Sequence, residues 1–521
     1  MTEFVQRIAA QRGNDPALID ERGPITWREL NARSNRLVHA LRALGLKPGD
    51  AIAIYAGNCR EYFEIMLAAN HAGIAYVPVN WHFTPEELAY VIADAEARVL
   101  FAEGQFLAQA RAAVARGETP GLEACIAIRG AGTLHPFQDY ETTLASQPDD
   151  EPADQCAGGP MFYTSGTTGR PKGVRSSTFR AGGPLAVLEM IGSGLSQMLA
   201  IPNDGTTYLC GPVYHSAQWA FSFLPLLTGS RVLMRHRFDA AESLRLIDEH
   251  AVTNVHLVPT QFHRLLRADD QAREAFSGRS LKVVWHGAAP CPPEVKRRMI
   301  DWWGPVVAEY YGSTEGSIVT TASAADWLER PGTVGKPSPI VEVTIRDENG
   351  EVLPAGESGQ IYVKNLMGSD FEYHNAPEKT AEVHLEPGVY TFGDIGYLDD
   401  DGYLYLSDRK IDMIISGGVN IYPAEIEAVL VTHPAVEDAA VFGIPNEEFG
   451  EEVKAAVTLR DGFSADDDLT QALIAHCREH LAGYKAPRSV DYEDELPRHE
   501  TGKLYKRLLR DRYWRGSSRT I

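Results

Sequence analysis

Between Ala51 and Ala102 the chain reads AIAIYAGNCREYFEIMLAANHAGIAYVPVNWHFTPEELAYVIADAEARVLFA. Ala51 to Tyr55 is an unbroken apolar run of strand length, as expected of a strand buried on both faces. Cys59 to His71 follows as an amphipathic helix and Ala75 to Val79 as the next strand. Thr84-Pro85-Glu86-Glu87 opens another helix. Threonine caps it, proline fits the first turn, and glutamate three residues on completes a capping box. Val99 to Ala102 returns to strand. The rhythm recurs downstream: Asp239 caps a helix to about His250, Asn254 to Val258 is a strand, and so is Leu281 to Trp285. Strands alternating with helices predict an α/β fold, a mostly parallel sheet covered on both faces.

Outward from this core the character changes. From about Gly332 to Ser407, strand-like runs (Val341 to Arg346, Gln360 to Lys364, Tyr403 to Leu406) are separated by turn signals such as Asn349-Gly350, Pro354-Ala355-Gly356 and Asp401-Gly402. This predicts antiparallel sheet packed beside the parallel part. After Asp408 a smaller α+β unit begins, with helices near Ala424 to Thr432 and Asp468 to Leu481 and strands near Val436 to Phe442 and Val453 to Leu459. The expected organisation is a large N-terminal domain, 1–408, with a β-rich subdomain over about 330–407, and a small C-terminal domain, 409–521.

Length and composition agree. The 521 residues suit two to four domains, and 44% apolar with 23% charged residues is ordinary globular composition. The formal charge of −22 opposes nucleic acid and anionic membrane surfaces. Any anionic ligand must be held by a local site against that field. The six cysteines form no CxxC pair and have no histidine cluster beside them, which argues against a disulfide framework or a zinc site. Met1 to Ala10 contains no apolar segment of the secretory kind, and no run approaches a membrane span. A soluble cytoplasmic protein is expected. The tail reverses the charge: Leu496 to Ile521 carries eight basic residues against two acidic ones.

The segment with the densest chemistry is Tyr163-Thr-Ser-Gly-Thr-Thr-Gly-Arg-Pro-Lys-Gly-Val174. Glycines let backbone amides approach an anion, hydroxyls donate to phosphate oxygens, and a lysine adds a point charge. It is not the GxxxxGK[ST] phosphate loop, because Pro171 stands where that motif needs glycine. The full string resembles the phosphate loop of the AMP-forming acid ligases, the superfamily of acyl-CoA synthetases, peptide-synthetase adenylation domains and luciferases. Further segments resemble that family in the same order: Gly211-Pro-Val-Tyr-His215, Trp285-His-Gly-Ala-Ala-Pro290, Tyr310-Tyr-Gly-Ser-Thr-Glu315, Tyr390-Thr-Phe-Gly-Asp394, Asp408-Arg-Lys-Ile-Asp412, Ser416-Gly-Gly-Val-Asn420 and Leu496-Pro-Arg-His-Glu-Thr-Gly-Lys503.

The resemblance implies roles. Thr164, Ser165, Gly166, Thr167, Thr168 and Lys172 would hold ATP phosphates. Gly287, Ala288, Tyr310, Tyr311 and Gly312 would border adenine, and Thr314 and Glu315 would serve ATP and Mg²⁺, with Glu315 the metal ligand. Asp394 would accept the ribose hydroxyls and Arg409 would also contact the nucleotide. Tyr214, His215, Gln218, Trp219, Ala289 and Gly312 would form the acyl pocket. His215 and Glu315 join Lys503 as the catalytic set. Lys503 would bridge the carboxylate and the α-phosphate during adenylation, where an ammonium stabilises the growing charge. Ser416, Gly417, Gly418, Tyr484 and Arg488 would contact CoA. The chain departs from the family at Phe392, usually threonine, at Ile411, usually aspartate or lysine, and at Ala486, basic in some relatives.

The implied activity is an ATP-dependent carboxylic acid–CoA ligase that forms an acyl-adenylate and then the thioester, using ATP, Mg²⁺ and coenzyme A. With no charged residue in the pocket set and with Ala288, Ala289 and Gly312 small, a medium or long fatty acid or a bulky ring-bearing, steroid-type acid is expected, with an aryl acid as runner-up. Transfer to a carrier-protein thiol, luciferase-type oxidation and a non-catalytic nucleotide sensor are the competing functions. Monomer and homodimer both stay open.

Overall fold

The computed structural model describes residues 4–130, 135–164, 171–409, 412–416, 419–446, 449–498 and 504–514. The alternating strands divide between two sheets. The first has six strands, all parallel, in the order Gln138–Asp139, Ala124–Ile128, Ala97–Glu103, Ala51–Tyr55, Ala75–Pro78 and Gly159–Pro160. Ala51–Tyr55 lies at its centre and is buried along its whole length. Ile52 and Ile54 join the apolar cluster on one face while Ala53 and Tyr55 join that on the other, which is why the run carries no polar alternation. The capping box forms: Glu87 N donates to Thr84 Oγ1 at 3.3 Å, and Thr84 N donates to Glu87 Oε2 at 2.8 Å.

The second sheet has fifteen strands. Its parallel half runs Pro16–Asp20, Arg231–Met234, Thr206–Leu209, Asn254–Leu257, Val283–His286 and Val307–Ser313. One core fills the space between the two sheets. It is built on the helices Trp27–Ala43, Arg60–His71 and Ser216–Thr228. The outer face of the second sheet is covered by Ala240–Glu249, Pro259–Leu266 and Pro293–Trp303. A buried charge cluster also ties the sheets. Asp20, ending a strand of the second sheet, accepts from Arg60 Nε at 2.9 Å and from Arg129, which follows a strand of the first.

One expectation changes here. The Gly332 to Ser407 region does not pack beside the parallel half but prolongs it. Val307–Ser313 turns into Ser317–Ala322, then Thr333–Pro337, Leu404–Arg409, Asp394–Leu398 and Gly359–Asn365 follow in antiparallel register. Tyr310 to Ser313 belong to the strand itself, because the hairpin partner pairs with them. A three-stranded sheet of Phe162–Thr164, Lys172–Ser176 and Phe371–Tyr373 stands apart.

The C-terminal domain has its own five-stranded sheet, dominated by the hairpin of Val436–Asn446 and Gly450–Leu459. Pro423–Leu430 and Asp467–His480 pack on it around Ile414, Ile426, Leu430, Val441 and Leu473. Arg267 of the large domain pairs with Glu437 of that hairpin. Among the described residues no helix is long and apolar enough to cross a membrane.

Candidate active site

The tip of the Val307–Ser313 strand and the turn after it gather residues from four distant parts of the chain. Ser313 Oγ accepts from the amides of Glu315 and Gly316, at 3.1 and 3.0 Å, and so shapes the turn. Thr314 Oγ1 and Ser216 Oγ lie 2.8 Å apart, which joins the turn to the first residue of Ser216–Thr228. Tyr373 Oη donates to Glu315 Oε1 at 3.1 Å, and the Lys172 ammonium sits over the Tyr373 ring at 5.0 Å. Burial and the neighbouring Lys379 charge hold Lys172 below the usual lysine range, against the opposing pull of Glu382 and Glu315. Burial, with Glu315 adding to it, pushes the Tyr373 phenol up, so it stays a donor. Thr164 and Lys172 are directly paired across the hairpin, so the two ends of the glycine-rich segment meet. Ser165, Gly166, Thr167 and Thr168 themselves lie outside the described residues.

Two residues back from Ser313, Tyr311 Oη donates to Asp394 Oδ2 at 2.6 Å, and both residues are buried. The two signatures, more than eighty positions apart, thus meet through one hydrogen bond. Phe392 packs edge-on to Tyr311 at 6.2 Å. It also fills the space above Gly316, where a Cβ would come within 2.4 Å of its ring. The Phe392 departure is accommodated by that glycine. The Arg409 backbone is in register opposite Asp394.

Beneath the strand runs a buried polar chain. Gln218 Nε2 lies 2.9 Å from His256 Nδ1 and 3.4 Å from the His256 carbonyl, and His256 Nε2 lies 3.0 Å from Tyr310 Oη. A backbone carbonyl only accepts, so the amino end of Gln218 faces His256 and Nδ1 accepts from it. Nε2 therefore carries the proton and donates to Tyr310. Burial brings His256 down to about 3, so the imidazole stays neutral near pH 7. A small cavity opens beside this chain, lined by Gly211, Pro212, His215, Gln218, His256 and Gln261. His215 is its rim residue, at the N-cap of Ser216–Thr228. Gly287 backs onto the Tyr310 ring with no room for a Cβ, followed by exposed Ala288 at φ 65° and half-buried Ala289. Gly312 lies half-buried on the strand.

Two residues of the expected acyl pocket point elsewhere. Trp219 is buried in the inter-sheet core, its Nε1 donating to Tyr76 Oη at 2.8 Å and its ring among Phe162, Phe179 and Phe223. One helical step of about 100° separates it from Gln218, enough to turn its ring into the core. Tyr214 packs edge-on against Trp81 at 5.0 Å, at the margin of the first sheet's outer core.

In the C-terminal domain Ser416 ends Ile414–Ser416, in register with Gly450. Tyr484 is exposed, and the Arg488 guanidinium lies over the Phe449 ring at 4.7 Å. Ala486 is buried. Gly417, Gly418, Ile411 and Lys503 lie outside the described residues. Lys506, further along the tail, pairs with Glu427 at 2.8 Å. Sequence reading passed over Tyr373 and His256. Each sits in an unremarkable strand, and only the pairing of distant strands brings it to the site. The donors present fit a magnesium ion. Among the described residues no group of three or more His, Cys, Asp or Glu could cage a metal, while Glu315 offers one carboxylate beside Tyr373. Magnesium is commonly bound by one or two carboxylates plus substrate phosphates.

Known proteins share this architecture. The family model for the AMP-binding enzyme matches residues 5–367, and that for the AMP-binding enzyme C-terminal domain matches residues 425–503. A feruloyl-CoA synthase from an Amycolatopsis species is 35% identical over 501 residues, covering 94% of either chain. A 3-[(3aS,4S,7aS)-7a-methyl-1,5-dioxo-octahydro-1H-inden-4-yl]propanoyl:CoA ligase from Mycobacterium tuberculosis is 34% identical, covering 97% of either chain. The crystal structure of the anthranilate CoA ligase AuaEII with anthranoyl-AMP superimposes with a TM-score of 0.87 at 25% identity, covering 98% of this chain and 96% of its own.

Proposed function

The chain belongs to the AMP-binding enzyme family, and from that premise we propose how its residues divide the work of an acid–CoA ligase. The enzyme is an AMP-forming acyl-CoA synthetase that uses ATP, Mg²⁺ and coenzyme A. The observation that carries the assignment of roles is the convergence at Tyr311 to Glu315, with Asp394 bonded to Tyr311 and the Lys172–Tyr373 pair meeting Glu315 through the Tyr373 hydroxyl.

Asp394, oriented by Tyr311, accepts the ribose hydroxyls. Tyr311 and the Gly287–Ala288 loop border the adenine. Thr164, Lys172 and residues 165–168 take the phosphates, Lys172 as a cation seated over the Tyr373 ring. Glu315 would hold magnesium together with the phosphates, and when bound the ion would offset repulsion between them and the incoming carboxylate. The acid carboxylate attacks the α-phosphorus and pyrophosphate leaves. Lys503 stabilises the charge on that centre, and His215 borders the reacting acyl group. In the second step the CoA thiolate attacks the acyl carbon and AMP leaves. Ser416, Gly417 and Gly418 line the thiol's path, while Tyr484 and Arg488 face the CoA nucleotide. The boundary at 408/409 is the pivot between the two presentations.

For the acid we favour a bulky ring-bearing carboxylate, fused-ring or aryl, over a plain fatty acid. The buried polar chain Gln218–His256–Tyr310 beside the cavity supports this, and so do the ring-bearing acids named for the two relatives. The test is a half-reaction comparison. With a good acid, wild type consumes CoA and releases AMP one for one. Lys503→Ala should abolish adenylation yet largely spare thioester formation from presynthesised acyl-adenylate and CoA. Equal loss of both steps in folded Lys503→Ala protein overturns the division of roles. Fast pyrophosphate exchange without CoA consumption points to a carrier-protein acceptor.

A further inference from the structure

Gln218 is 4% exposed, and its carboxamide lines the cavity beside Gly211 and His256. Its amino end is committed to the ring and carbonyl of His256. Its Oε1 makes no hydrogen bond among the described residues. The other buried amide of the cavity is occupied: Gln261 Oε1 accepts from Val258 N at 2.9 Å and its Nε2 faces the Cys210 carbonyl at 3.4 Å. Room for the Gln218 amide is made by Gly211, where a Cβ would fall 2.3 Å from Nε2. Aromatic faces stand close by, with Phe221 4.7 Å from the His256 ring and 5.2 Å from the Tyr310 ring. Gln218 Oε1 keeps contact with the cavity, and an apolar group filling that space would shut it off from water without a donor, which is costly.

We propose that Gln218 Oε1 accepts a hydrogen bond from a hydroxyl or amine carried on the ring of the acid. The enzyme then selects ring-bearing acids with such a donor over their methylated and unsubstituted analogues. The inference rests on the acid–CoA ligase reading and deepens it. A site built to hydrogen-bond a substrate group discriminates strongly against analogues that lack the group, because its own polar atom is then left unpaired. The chain of orientation runs from Tyr310 through His256 to Gln218, so the acceptor is aimed before the acid arrives.

The experiment measures kcat/KM for acyl-CoA formation with matched benzoic, cinnamic and 3-phenylpropanoic acids. Each scaffold carries hydroxyl, amino, methoxy or hydrogen at each ring position in turn, and hexanoic and decanoic acids serve as controls. The expected result is a scaffold and position at which a donor-bearing acid exceeds its methoxy and unsubstituted partners by about 10- to 10²-fold, the worth of one buried hydrogen bond. The hydroxyl and amino arms tell which donor the site takes. In Gln218→Leu that ratio should fall towards one. Donor-free acids turned over as well as donor-bearing ones on every scaffold, or the fatty acids preferred, would overturn the inference and leave the ligase reading standing. So would a folded Gln218→Leu protein that loses activity equally on all acids. No AMP formed with any acid would count against the ligase reading itself.

Discussion

Removing one oxygen from Tyr311 tests whether the carboxylate beneath the strand tip holds the nucleotide. In Tyr311→Phe the ring keeps its edge-on contact with Phe392 and its buried volume, so the fold should persist. What goes is the 2.6 Å hydrogen bond to Asp394. A buried hydrogen bond to a charged group is worth about 1.5–3 kcal/mol. At about 1.4 kcal/mol per tenfold, losing the orientation of Asp394 should raise KM for ATP and weaken AMP binding by roughly 10- to 10²-fold. Because ribose binding is common to ground and transition states, kcat should change less than KM. Pyrophosphate exchange gives the ATP dependence and calorimetry gives the AMP affinity. A 2′,3′-dideoxy nucleotide closes the cycle: wild type should lose affinity when the hydroxyls go, and Tyr311→Phe should lose much less in addition. Unchanged ATP and AMP affinity in a folded variant would refute the assignment. So would fully additive effects of the variant and the deoxy nucleotide.

Three other outcomes follow. Glu315→Gln should stay folded and lower adenylation about 10²-fold, measured as pyrophosphate exchange against magnesium concentration; a wild-type rate would remove Glu315 from the chemistry. Burial alone would raise Asp20, but hydrogen bonds from Arg60 and the Arg22 amide and the charges of Arg60 and Arg129 hold it at about 2. Its stabilisation, about 2 kcal/mol, is therefore full above pH 4 and lost as pH falls towards 2, so the unfolding free-energy gap between wild type and Asp20→Asn should close over that interval. Arg267→Glu turns the inter-domain pair with Glu437 into a repulsion, and the ratio of the two half-reaction rates should move while the melting temperature of each domain holds; an unmoved ratio would make the contact incidental.

Local chemistry was legible in the sequence, and long-range pairing was not. Thr84 and Glu87 form their capping box because both partners lie within one turn. Ala51–Tyr55 is buried on both faces because nothing in it asks for water. The division of the βα rhythm between two sheets depends on which strands neighbour one another, and composition does not encode that order. The same holds for the antiparallel run from Val307 to Asn365, whose continuity rests on the register between Ser317–Ala322 and Thr333–Pro337. The site repeats the lesson. Asp394 and Glu315 stood out by their neighbours in sequence, while Tyr373 and His256 have none to announce them. Gln218 and Trp219, taken together as pocket residues, are split by the helix they share. One faces the cavity and the other anchors the core.

The register of the strand that comes last in the chain within the fifteen-stranded sheet has a mechanical consequence. Leu404–Arg409 is clamped between Thr333–Pro337 and Asp394–Leu398, and its final residue stands opposite Asp394. The chain leaves the great sheet beside the carboxylate assigned to ribose. A lever whose fulcrum lies next to its load moves its near end little and its far end a great deal. The eleven-residue strand Val436–Asn446 alone spans roughly 35 Å at about 3.3 Å per residue. A swing about this fulcrum would sweep the far edge of the small domain across a wide arc while the backbone at residue 409 stays beside Asp394. The tether would work as a gearbox, turning a few backbone torsions into the exchange of one catalytic surface for another without loosening the grip on AMP.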